Sequence, residues 1–157
     1  MGPGLHFIRH FFTWYNTRKR GPGWLAYGGR KVYICDIVTK FIVISTNTEL
    51  LRIPSDRLMF ITSEGNYSKV FTQDGHYHLI AYQLGQLEDM IGNQLGEDET
   101  PFIRIGKSLI VNRDYIYLID VSEQVIVVSD CRGQYHKLTA SRKALTQIKV
   151  LIENTEL

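Results

Sequence analysis

Cysteine is scarce: Cys35 and Cys131 are the chain's two, far apart and without CxxC spacing. That excludes a disulfide framework and a cysteine-based zinc site as organising features. Both read as small apolar fillers in a reducing compartment. Long hydrophobic runs are missing too. No segment approaches the roughly 18 consecutive apolar residues of a membrane span, and the longest β-branched run, Phe41 to Ser45, is strand-sized. Charges and histidines interrupt residues 5–20, which leaves no secretory apolar core, and His6 stands where a myristoylation signal wants Ser or Thr. The expected setting is the cytoplasm, with no membrane attachment.

Acidic residues are rare at one end only. Residues 1–40 hold seven basic residues against the single acid Asp36, so residues 41–157 keep 11 basic and 15 acidic ones, a net −4 within a chain of net +2. A nucleic-acid role for the longer part must then rest on locally clustered cations, because its overall balance opposes one. Hydrophobic residues make up 44% and charged residues 22%, enough for a globular core.

Residues 1–30 show no sustained period. They combine aromatics, the run Arg18-Lys19-Arg20, Gly21-Pro22-Gly23 and Gly28-Gly29. Residues 1–38 are expected to form a basic, poorly ordered arm without a core, with Val38 as a candidate alternative start. From about residue 31 the texture is β: Val32 to Ile37, Phe41 to Ile44, Leu50 to Pro54, Arg57 to Thr62 and Tyr67 to Thr72. Gln73-Asp74-Gly75 turns a hairpin into His76 to Ala81, since Asp-Gly accepts the positive φ of tight turns. Leu84, Leu87, Ile91 and Leu95 form a helical stripe over residues 82–95. Strands resume at Phe102 to Ile105, Leu109 to Val111, Ile116 to Val121, Gln124 to Ser129 and Gln134 to Leu138. A final helix follows around Ala144, Leu145, Ile148, Leu151 and Ile152, with Thr139 or Ser141 as N-cap. The expected fold class is mainly β: antiparallel strands in small sheets with one or two short helices.

Familiar site motifs fail on context. Gly21-Pro22-Gly23-Trp24-Leu25-Ala26 has the letters of a dinucleotide fingerprint, but it follows Arg-Lys-Arg instead of a strand. Gly106-Lys107-Ser108 ends like a phosphate loop, yet Pro101 occupies the position of that loop's first glycine. His76 and His78 would share a strand face but lack further ligands for a closed metal site. Asn66-Tyr67-Ser68 matches a glycosylation acceptor with no role in a cytoplasmic chain. No catalytic grouping stands out by spacing, so neither an enzyme nor a cofactor is expected.

Three loop-like stations remain: Glu64-Gly65-Asn66-Tyr67-Ser68-Lys69, Arg104-Ile105-Gly106-Lys107-Ser108 and Ser141-Arg142-Lys143. Each joins a cation to hydroxyl or amide groups among small residues, which suits phosphate contacts and base-edge hydrogen bonds. Their order and surroundings resemble the LytTR-type DNA-binding domain, the output-domain family of response regulators. Ile61-Thr62-Ser63-Glu64-Gly65-Asn66-Tyr67-Ser68-Lys69-Val70, followed by Asp74-Gly75, resembles its first half. Phe102-Ile103-Arg104-Ile105-Gly106-Lys107-Ser108-Leu109-Ile110-Val111-Asn112 is similar to its most specific stretch, and Leu138-Thr139-Ala140-Ser141-Arg142 to its closing segment. The resemblance covers about residues 48–152.

What the resemblance implies is a bacterial transcriptional regulator whose interstrand loops enter successive major grooves of double-stranded DNA. Ser68 and Lys69 would act in the first loop, Lys107 in the second and Arg142 in the third. Asn66, Arg104 and Ser108 would support register and phosphate contact. Gly106 stands where many relatives have His, which removes one donor. Residues 1–38 are too short for the phosphoacceptor domain that usually accompanies this module. Control would then come from expression level, self-association, the arm or a separate regulatory protein. The competing expectation is a β-rich protein–protein interaction module that has lost DNA binding, which the net −4 of residues 41–157 favours.

Overall fold

A computed structural model describes residues 25–27, 30–32, 40–96, 100–130 and 132–156. The chain divides into two units, Met1–Val38 and Thr39–Leu157. In the first, β1 (Leu25–Tyr27) pairs antiparallel with β2 (Arg30–Val32). The remainder of the expected arm, most of the expected strand Val32 to Ile37, and both cysteines lie outside the described residues.

The described residues of the second unit form three sheets and two α-helices. β3 (Phe41–Ser45) and β4 (Leu50–Pro54) form a hairpin. A five-stranded antiparallel sheet contains β5 (Leu58–Glu64), β6 (Tyr67–Thr72), β7 (Tyr77–Ile80), β8 (Phe102–Ile105) and β9 (Leu109–Asn112), in the order β7-β6-β5-β9-β8. Helix α1 (Leu84–Leu95) lies between β7 and β8 in the chain. β10 (Ile116–Asp120), β11 (Val125–Ser129) and β12 (Tyr135–Thr139) make a three-stranded meander, and α2 (Arg142–Glu156) closes the unit. The expectation of a mainly β fold, with antiparallel strands in small sheets and one or two short helices, is met.

The five-stranded sheet is the middle layer, apolar on both faces. Leu58, Ile61, Val70, Ile80 and Ile110 turn to one side. There they pack with Ile42, Ile44 and Ile53 of the β3–β4 hairpin and with Leu84, Leu87, Ile91 and Leu95 of α1. Phe60, Ile105, Leu109 and Val111 turn to the other side and meet Ile126, Val128, Leu145 and Ile148 from β11 and α2. Burial on both faces explains why β5 and β9 read as continuous apolar runs instead of alternating ones. A register shift between Leu58 and Phe60 lets adjacent Met59 and Phe60 join the same cluster.

Boundaries differ from expectation where local hydrogen bonding wins. A 3-10 turn at Ser55–Arg57 delays β5 to Leu58. α1 begins at Leu84, not residue 82, because Gln83 and Gln86 form a reciprocal capping box, with the Gln83 N–H donating to Gln86 Oε1 at 2.9 Å. At its other end the Lys40 ammonium donates to Leu95 O at 3.2 Å, a cation at the negative end of the helix dipole. The Gln94 amide takes the place of a neighbouring strand for β3: it accepts from Val43 N and donates to Val43 O, each at 2.8 Å. Buried Asn112 donates to Leu58 O at 2.9 Å and accepts from Asp114 N at 3.0 Å, joining β9 to the start of β5. The link between β10 and β11 is a four-residue turn ending at Gln124, whose φ is +58°.

Candidate nucleic-acid interface

The first two stations meet at one end of the middle sheet. β5 pairs antiparallel with β9, with Thr62 opposite Leu109, and the Ser63 N–H donates to Ser108 O at 2.9 Å just beyond that pairing. The turn after β5 and the turn before β9 are therefore neighbours, about one interstrand spacing apart (~4.8 Å), although some 40 positions separate them along the chain. Gly65 begins the first turn with φ +61° and is followed by Asn66; with Glu64 opposite Tyr67 this is a two-residue hairpin of the type that needs glycine first. Gly106 opens the second turn with the same φ.

Asn66, Lys107 and Ser108 are exposed at these turns, and so is the Tyr67 ring. Lys69 is half-buried; its ammonium lies 3.1 Å from the Glu64 carboxylate and 5.7 Å from the centre of the Tyr77 ring. Ser68 stands apart from the expected set. Its side chain is fully buried and its hydroxyl donates to Tyr82 O at 2.8 Å, on the face that carries α1. It ties β6 to the entry of that helix and presents nothing outward.

Arg104 also turns inward. From the edge strand β8 its Nε donates to Gly106 O at 2.8 Å and its Nη2 to Lys107 O at 3.1 Å, while Nη1 meets Glu88 of α1 at 3.0 Å. The guanidinium thus grips the back of the second turn. Sequence reasoning missed Glu88, which no local pattern connects with a turn 16 or more positions away. It also missed Glu64 as the partner of Lys69, although the two sit on facing strands of one hairpin.

The third station lies at the start of α2, not in the paired turns. The Ser141 hydroxyl accepts from Ala144 N at 3.3 Å, which makes it, of the two expected candidates, the N-cap. Arg142 and Lys143 are exposed in the first helical turn. Cations there oppose the helix dipole, so they do not serve helix stability. Arg142 Nη2 reaches Ser122 O in the β10–β11 turn at a long 3.4 Å. That turn is itself fastened to Asp120, whose carboxylate accepts from the Ser122 hydroxyl and from Glu123 N. The Ser122 hydrogen bond, then the Glu123 one, holds the Asp120 carboxyl below the usual carboxylate range.

Among the described residues no group of three or more His, Cys, Asp or Glu side chains gathers as a metal site, and no helix is long and apolar enough to cross a membrane. A depression lined by Glu49–Leu51 and Tyr77–Ile80 is open to solvent and lies among β4 and β7, not at the turns.

Comparison with curated proteins gives no match. Among solved structures, the LytTr DNA-binding domain of a response regulator from Bacillus cereus is similar in fold, at 19% identity and a TM-score of 0.51, over 72% of this chain and 96% of that one. Residues 48–153, more than half of the chain, match the family described as the LytTr DNA-binding domain. The chain belongs to the LytTr DNA-binding domain family.

Proposed function

We propose that this chain is a transcriptional regulator, not an enzyme, and that it binds double-stranded DNA sequence-specifically through its interstrand turns. The observation that carries the reading is the meeting of two short turns at one sheet end, where Asn66, Lys107 and Ser108 are exposed together. Lys107 supplies a point charge to a phosphate or base edge, and Asn66 and Ser108 supply hydrogen bonds. Lys69 lies next to them, its ammonium held back from phosphate by the Glu64 carboxylate. Arg142, exposed and not needed by its helix, is the candidate for bidentate guanine recognition in the next groove. Ser68 contributes by holding the loop's strand. Residues 48–152 form the DNA-binding domain in this reading, and residues 1–38 a basic arm that precedes it in the chain. Self-association or a separate regulatory protein supplies control.

The test replaces Lys107 and Arg142 singly by Ala. Exposed cations contribute little to folding, so thermal stability should stay nearly unchanged. Lys107→Ala should weaken specific and random duplexes alike and reduce the salt slope by about 0.9. Arg142→Ala should cost about 1–3 kcal/mol on a selected site and far less on random DNA. If neither substitution changes affinity, DNA binding through these turns is refuted. The protein-interaction reading then leads, favoured by the outer face of the β10–β12 sheet, where Tyr117, Leu118 and Tyr135 are at least half exposed.

A further inference from the structure

We infer that Glu88 and Arg104 are positioning residues for DNA binding: a helix-to-turn clamp that presents Gly106-Lys107-Ser108 to the duplex. The inference rests on the DNA-binding reading above and gives Arg104 a different part from a phosphate ligand. All three guanidinium nitrogens are engaged, two by carbonyls of the turn itself and one by the Glu88 carboxylate. The Arg104 side chain is only 26% exposed, whereas Glu88 is 47% exposed.

Peptide geometry gives the clamp its consequence. In a planar trans peptide the C=O and the following N–H point in opposite directions. With the carbonyls of Gly106 and Lys107 drawn toward Arg104, the N–H groups of Lys107 and Ser108 are directed to the opposite side of the turn. Successive backbone N–H groups of this kind favour an anion, and here they flank an exposed ammonium and an exposed hydroxyl. Gly106, at φ +61°, allows the chain to take this path. Glu88 comes from α1, which is seated on the sheet by Leu84, Leu87, Ile91 and Leu95, so the guanidinium is referenced to the core. A lysine at position 104 would keep the charge but lose the planar fork that serves two carbonyls and a carboxylate together.

The sign of one effect separates this role from plain electrostatics. Glu88→Ala removes an acid from a protein that must approach phosphates, which by charge alone would tighten binding. The clamp requires the reverse. Affinity for a random-sequence DNA duplex should fall roughly three- to tenfold, the range of one ordinary intramolecular hydrogen bond. Arg104→Lys should lose as much or more with the salt slope unchanged. In the Arg104→Lys background, Glu88→Ala should add nothing further, because the two act as one unit. Without DNA, the amides of residues 106–108 should exchange hydrogen faster in both variants, while the melting temperature shifts little. Tighter or unchanged binding by Glu88→Ala overturns the clamp. So does full rescue by Arg104→Lys, which would make Arg104 a phosphate ligand. Loss of binding in Lys107→Ala alongside either result leaves the DNA-binding reading standing and removes only the clamp. An unchanged affinity in Lys107→Ala, Glu88→Ala and Arg104→Lys together overturns the clamp and the second turn's place at the DNA.

Discussion

Glu64 is the residue whose removal should improve DNA binding. Its carboxylate lies 3.1 Å from the Lys69 ammonium, with side chains 56% and 30% exposed. An ion pair that open to water is worth about 0–1 kcal/mol, so Glu64→Gln should leave the fold intact and move the melting temperature by only a few degrees at most. On DNA the consequences are larger. The carboxylate now competes with phosphate for Lys69 and also places a negative charge in the first turn. Freeing the cation for one more phosphate steepens the salt dependence by about 0.9 in log K per log salt. At 0.1 M salt, releasing that one counterion corresponds to roughly an eightfold gain in affinity. Titrating wild type and Glu64→Gln against one duplex at several salt concentrations, by fluorescence anisotropy, measures both quantities. Equal affinities and equal slopes would show that Lys69 is not at the DNA. Weaker binding by the variant would refute the reasoning in another way, because it would make Glu64 a direct acceptor from a cytosine amino group.

Two predictions concern the scaffold. Leu87 is fully buried between α1, the β3–β4 hairpin and the middle sheet, so Leu87→Ala should cost about 2–5 kcal/mol in urea unfolding; a loss below about 1 kcal/mol would mean that this core collapses around the gap. Gln124 holds φ +58°, a conformation that costs an L-residue about 1–2 kcal/mol. Gln124→Gly should therefore raise the melting temperature by a few degrees even after the extra flexibility of glycine in the unfolded chain is counted, and a fall would show that the Gln124 side chain holds the turn.

Much of the chain was legible because its signals are local. The alternation and β-branched content of Tyr67–Thr72, the Asp74-Gly75 turn, and the three- and four-residue steps of Leu84, Leu87, Ile91 and Leu95 reappear at or near the expected bounds. So does Ser141 as the cap of α2. Those features depend on neighbours within a turn or a hairpin, where each residue's own geometry decides. The pattern around Arg104-Ile105-Gly106-Lys107-Ser108 likewise carried the family, which the match over residues 48–153 bears out.

What each site residue does was decided by contacts between distant segments. Ser68 and Lys69 are consecutive, and alternation along a strand sends one into the core against Tyr82 and the other toward solvent; which face is which depends on where α1 packs. Arg104 and Lys107 are both basic and three positions apart. Only the arrival of Glu88 from α1 and the fold of the turn onto its own carbonyls distinguish the buttress from the exposed cation. Nor does the sequence place Ser63, at the end of β5, opposite Ser108. That pairing exists because β9 crosses back to lie against β5, a choice made by the apolar surface both strands bury on two faces. Residue types and local periods thus settled which elements form and which family they make. Burial against partners remote in the chain settled which polar groups face outward, because a hydrogen bond or an ion pair depends on what is adjacent in space.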